Sequence, residues 1–186
     1  MTALLVIDMQ RHFTTSAAPI TANVNLLIDH FHSDDLTVVY TQHGHTPAQL
    51  SGAEVSELVR FWGPDGSIHR FAESWHLLPD LLPPATSDVQ VQDKDTYDAF
   101  IHTGLEETLR ARRIERVVVC GVLTNFCCET TARSAFNRGF ETWVASDACG
   151  AESQTLHSNS LRALAAGFGE VLSTKEVLQR LQSPRG

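Results

Sequence analysis

Arg116-Val117-Val118-Val119-Cys120-Gly121-Val122-Leu123-Thr124-Asn125-Phe126-Cys127-Cys128 is the stretch on which the fold turns. Arg116 to Gly121 reads as a strand, and its centre, Val117 to Cys120, is apolar without a break. A strand with one face in water alternates apolar and polar residues, so an unbroken run predicts a strand covered on both faces, as in a parallel sheet. Asn125 to Arg138 then places apolar residues at helical spacing, with Gly139 where a C-terminal cap is expected. A strand followed directly by a helix is half of a parallel crossover unit.

The same alternation recurs outward from this stretch. Strands are expected at Ala3 to Ile7, Leu36 to Thr41, Val89 to Gln92, Glu141 to Ser146 and Glu170 to Ser173. Helices are expected at Ala22 to Phe31, Thr103 to Arg112 and Glu152 to Ala166, the last capped by Gly167. The pattern predicts an α/β protein: three layers, doubly wound, with a mostly parallel sheet of about six strands. Gln42 to Asp88, with the turn signal Gly63-Pro64-Asp65-Gly66, is too long for a plain connection and reads as a lid or substrate loop, or as an extra helical layer. The length of 186 residues suits one domain over residues 1–186, with only Ser183-Pro184-Arg185-Gly186 reading as a frayed tail.

Composition narrows the function. Hydrophobic residues at 42% and charged residues at 19% describe a packed protein rather than a disordered one. A formal net charge of -8 with no basic stripe argues against nucleic acid or an anionic membrane as partner and leaves a small-molecule substrate or a protein. Met1 to Asp8 has no basic leader and is too short to span a bilayer, so a cytoplasmic location is expected. The four cysteines form neither a disulfide framework nor a CxxC metal pattern, so reduced thiols and no cofactor are expected.

Ligands of open α/β sheets bind beyond the carboxyl ends of the strands, which makes the residues just after each strand the shortlist for chemistry. Asp8, Lys94 and Cys127 hold such places. Taken alone, Asp8 reads as a turn cap and Lys94, in Gln92-Asp93-Lys94-Asp95, as part of a solvated charge cluster. Together at one rim, the lysine could hold a carboxylate and favour a thiolate. The adjacent cysteines differ in phase: Cys128, Ala132, Ala135 and Phe136 follow the stripe of a buried helical face, whereas Cys127 falls off it. In the first turn Cys127 would have its pKa lowered by the helix dipole, which makes it the better nucleophile. Cys120 reads as core, and Cys149 is left unassigned.

These segments, with Ile7-Asp8-Met9-Gln10 and Phe13, Lys94 with Tyr97, Ala99 and Phe100, the run Gly121 to Ala132 followed by Ala135-Phe136 and Gly139, and Asp147-Ala148, resemble the isochorismatase-like cysteine hydrolases. That family includes nicotinamidases and N-carbamoylsarcosine amidohydrolases. The resemblance implies that Asp8 takes the thiol proton, Cys127 forms a thioester, Lys94 assists, and a cis peptide at Val122-Leu123 sets the amides of Leu123 and Cys127 as an oxyanion hole. It also implies a homo-oligomer. A cysteine at this position argues for an amide, ureido or imide-like substrate over isochorismate's vinyl ether. The remaining alternatives are vinyl-ether hydrolysis and a non-catalytic thiol protein in which Cys127 and Cys128 form a redox or binding pair. His12 replaces the acidic residue frequent before Phe13. Nicotinamidases carry Asp-x-His and a further His for a metal; this chain has Gln42-His43-Gly44-His45 and His69, no aspartate at the matching place, and no metal is expected. Phe13, Trp62, Trp75, Tyr97 and Phe100 are the aromatic candidates for lining a substrate pocket.

Overall fold

A computed structural model describes residues 1–52 and 54–182. Six strands, β1 (Thr2–Ile7), β2 (Thr37–Thr41), β3 (Val89–Val91), β4 (Arg116–Val122), β5 (Glu141–Gly150) and β6 (Glu170–Leu172), form one sheet in the order β3-β2-β1-β4-β5-β6. Every pairing is parallel. The period of two along β1 explains its unbroken apolarity. Leu4 and Val6 face one core, beneath α2 (Thr21–Ser33) and α8 (Thr174–Leu181), while Ala3, Leu5 and Ile7 face the other, beneath α5 (Leu105–Ala111), α6 (Glu129–Asn137) and α7 (Gln154–Ala165).

The chain winds from β1 outward through β2 to β3, then returns to the centre at β4 and winds the other way. The direction reverses between β1 and β4, and a crevice opens beyond their carboxyl ends. Gly121 allows the two strands to meet there. Its φ is 115°, and a Cβ would lie 2.1 Å from the Ile7 carbonyl oxygen.

Several local expectations change. The helix expected from Asn125 begins instead as a π-helical turn, Thr124–Cys128, before α6 starts at Glu129. Phe136, assigned to the buried stripe, is 45% exposed, because the stripe it would extend ends at Ala135; Cys128, Ala132 and Ala135 are fully buried. Gly139 does occupy the left-handed cap position, with φ 82°, but Gly167 does not. The positive φ lies two residues later at Gly169, where a Cβ would meet the Thr142 carbonyl at 2.3 Å. β5 runs on to Gly150 across a register shift. Helix α8 is an element beyond the expected helices, and Ser173 and Glu176 close a capping box at its start.

The long insert holds α3 (Pro47–Ser51), α4 (Glu57–Trp62) and a 3-10 turn at Glu73–Trp75. α1 (Thr14–Ala17) follows β1 after a further 3-10 turn. The tail from Ser183 lies outside the described residues. Among the described residues no helix is long and apolar enough to cross a membrane.

Candidate active site

Asp8 follows β1 directly with φ 47°, a left-handed conformation that aspartate tolerates better than most residues. Thr41, the last residue of β2, holds it there. The Thr41 hydroxyl donates to Asp8 Oδ1 at 2.5 Å and accepts from the Asp8 main-chain N–H at 3.1 Å. Lys94, three residues after β3, extends into the crevice and places Nζ 2.6 Å from Asp8 Oδ2 and 3.5 Å from Cys127 Sγ. Neither side chain of the ion pair is exposed. Lys94 is therefore no part of a solvated cluster, and Asp8, Lys94 and Cys127 meet at one buried point.

Burial by itself raises the Asp8 carboxyl's pKa, but the Lys94 charge and hydrogen bond, helped by His43 and Thr41, bring it below the ordinary value. For Lys94 burial acts downward, and Asp8 and Cys127 outweigh it, so the ammonium is held more tightly than usual. Cys127 reverses the sequence expectation. Burial pushes its thiol up, Lys94 pulls it down, and Asp8 pushes it up again, with a net value of about 12. A dipole at a helix start is a surface-scale effect, whereas this sulfur is enclosed beside a carboxylate. The resting site thus holds a neutral thiol next to an ionised Asp8.

A cavity of about 170 Å³ opens onto Cys127. Phe13, Trp62 and Tyr97 line it, as does Leu123, whose peptide bond with Val122 is cis. The insert reaches over this space with Leu58, Trp62 and the segment Gly66 to Ile68. Trp62 Nε1 donates to the Tyr97 hydroxyl at 2.6 Å, and Tyr97 stacks on Phe126 with ring centroids 5.1 Å apart. Phe100 does not reach the cavity. It is buried in the core against Phe140, under the Arg138 guanidinium. Trp75 is likewise buried away from the cavity, edge-on to Phe71.

Of the candidate metal ligands, His43 and His45 lie with ring centroids 4.9 Å apart, and both ring nitrogens of His45 are buried without a hydrogen-bond partner. The third, His69, pairs its main chain with that of His45, and its Nε2 is 3.1 Å from the Pro64 carbonyl oxygen. His43 Nδ1 instead lies 3.5 Å from Lys94 Nζ, a cation that competes with any metal for that nitrogen. Among the described residues no three His, Cys, Asp or Glu side chains are grouped to hold a metal ion, so the set does not fit one. Burial and Lys94 keep His43 neutral, with a pKa of about 3.

Thr41, Phe126 and Glu152 belong to the site without having been candidates for it, and His43, a candidate only as a metal ligand, lines the cavity instead. Thr41 offered one legible signal, its place at the carboxyl end of a strand. Gln10 supports His43 from behind: its side-chain oxygen accepts from the His43 N–H at 2.9 Å, and its amide donates to the His43 carbonyl at 3.0 Å. Cys128 and Cys149 are fully or nearly buried within the core cluster, and the Cys149 thiol donates to the Val119 carbonyl at 3.7 Å.

Comparison with known proteins agrees with this architecture. Residues 2–176 match the isochorismatase domain model. Nicotinamidase 3 of Arabidopsis thaliana is 34% identical over 179 residues, spanning 96% of this chain and 88% of that protein. A cysteine hydrolase from Pseudomonas syringae pv. phaseolicola 1448A superposes with a TM-score of 0.89 at 29% identity, covering 97% of this chain and 92% of the other. N-carbamoylsarcosine amidase from Thermoplasma acidophilum shares the fold, with a TM-score of 0.79 at 23% identity over 100% and 99% of the two chains. With the family model covering almost the whole sequence, the chain belongs to the isochorismatase family of hydrolases.

Proposed function

We propose that this protein is a cysteine amidohydrolase that cleaves a small amide, ureido or imide-like C–N bond through a thioester. The observation that carries the reading is the buried contact of Lys94 with both Asp8, at 2.6 Å, and Cys127, at 3.5 Å. A neutral thiol is a poor nucleophile, and the ionised Asp8 supplies the base that an enclosed thiol needs. In this mechanism Asp8 takes the Sγ proton as sulfur attacks the carbonyl carbon. Lys94 stabilises the carboxylate before the transfer and the developing negative charge after it. The main-chain amides of Leu123 and Cys127 receive the oxyanion. Protonated Asp8 then gives its proton to the departing nitrogen, and water, deprotonated by the same carboxylate, releases the acid and the free thiol.

The thiol argues against a vinyl-ether hydrolase, which has no use for it. A Cys127–Cys128 redox pair is disfavoured because both are buried in one core cluster and only Cys127 also borders the cavity. The test is a turnover screen of nicotinamide, ureido acids, maleamate, biuret and isochorismate, measuring ammonia and acid, with hydroxylamine added to trap the thioester as a hydroxamate. Ammonia release with hydroxamate formation is expected from at least one amide. Cleavage of isochorismate alone would overturn the reading.

A further inference from the structure

The cavity is unevenly charged in a way the catalytic group does not require. Phe13, Trp62, Tyr97 and Phe126 give it aromatic walls. Among the described residues lining it there is no lysine and no arginine. Lys94 does not itself line the cavity, and its charge is matched by Asp8 at 2.6 Å. Of the two lining histidines, His43 carries no charge at neutral pH, because burial and Lys94 lower its pKa to about 3, and partial burial lowers that of His12. One lining residue does carry a charge, Glu152, in the connection between β5 and α7. It is exposed at the rim and has no ion-pair partner among the described residues.

An anion entering such a space would leave water without meeting an unpaired counter-ion, because Asp8 already neutralises Lys94, and would approach a like charge on the way in. An uncharged amide meets neither obstacle. We propose that the cavity selects uncharged small carboxamides over carboxylate-bearing ones, with Glu152 as the specificity-determining residue. The proposal rests on the amidohydrolase reading for its substrates, but the charge selection can be read without hydrolysis.

Iodoacetamide and iodoacetate have nearly the same size and differ in charge. Their second-order rates of Cys127 alkylation, resolved by peptide mass spectrometry and normalised to free cysteine, report the charge preference at the sulfur. Cys127 is expected to favour the amide by roughly tenfold more than free cysteine does, the scale of one unpaired charge near a partly shielded site. Glu152→Gln should reduce that excess by about threefold, and Glu152→Lys should abolish it. In the hydrolysis arm, maleamide and maleamate differ by one amide against one carboxylate. Wild-type kcat/KM should favour maleamide, and Glu152→Lys should lower KM for maleamate. Equal normalised alkylation rates, or an excess indifferent to both substitutions, overturns the proposal. Equal hydrolysis of maleamide and maleamate overturns it too, while leaving the amidohydrolase reading in place. Charge-selective alkylation with no amide hydrolysed supports the selection and overturns the amidohydrolase reading instead.

Discussion

At the scale of single residues, the two neighbouring cysteines separate by what surrounds each sulfur. Cys127 Sγ lies 3.5 Å from Lys94 Nζ and borders the cavity, whereas Cys128 is sealed into the core with Ala132 and Ala135. Cys127→Ala should abolish turnover in folded protein, while Cys128→Val should keep activity within about fivefold, since it is a near volume-conserving change in the core. An essential Cys128 in the same assay would assign the chemistry to the wrong sulfur. Asp8→Asn should slow turnover by at least ~10²-fold, the usual scale for a positioned acid/base group, and Lys94→Ala should do comparable damage. Thr41→Val, which removes the 2.5 Å hydrogen bond to Asp8, should act through Asp8 by moving the acid limb of the pH profile upward. The profile itself follows from the charges. The folded Asp8 pKa lies below its ordinary 3.8, so its stabilising contribution is complete above 3.8 and lost as pH falls through the folded value. That of Lys94 lies above 10.5, so its contribution is complete below 10.5 and lost as pH rises through the folded value. A plateau in kcat/KM from about pH 5 to 9 is therefore expected. A rise with a midpoint between pH 6 and 7 would place a titrating histidine or a thiolate in the mechanism.

At the scale of elements, the site depends on how closely β1 and β4 approach. Gly121 sits opposite Ile7, one residue before Asp8, and no side chain fits between the strands there. Gly121→Ala combines a clash 2.1 Å from a backbone oxygen with a φ of 115°, and should cost more than ~2 kcal/mol, lowering Tm by about 5 °C or more. Calorimetry reads this directly, and an unchanged Tm would show that the strands can separate freely. The insert contributes Trp62 from the end of α4, hydrogen-bonded to Tyr97 at 2.6 Å across the cavity. Trp62→Ala should raise KM more than it lowers kcat, because the residue shapes the cavity without touching the reacting sulfur. Sequence spacing located this insert but left open whether it formed a lid or another helical layer. Short helices and turns carry little periodicity, and their placement is decided by what they cover.

At the scale of the whole molecule, the strand order brings residues 8, 41, 94 and 127 from four strands to one rim. The three candidate metal ligands, His43, His45 and His69, are not assembled in the same way, with His69 Nε2 beside the Pro64 carbonyl and His43 beside Lys94. Turnover should therefore survive dialysis against a strong chelator, checked by elemental analysis. Loss of activity with recovery on zinc, manganese or iron would show that the insert rearranges to bind metal. Sequence by itself determined the parallel sheet, because both faces of β1 and β4 must be apolar when helices cover both. It also determined the shortlist of Asp8, Lys94 and Cys127, because strand ends are where such sheets place chemistry. Only the tertiary structure decided the protonation of Cys127, since local position promised a lowered pKa and enclosure beside Asp8 raised it to about 12. It alone separated Tyr97 and Trp62, which line the cavity, from Phe100 and Trp75, which fill the core. An aromatic side chain looks the same in a sequence whichever way it points, and its direction follows from neighbours that are distant along the chain.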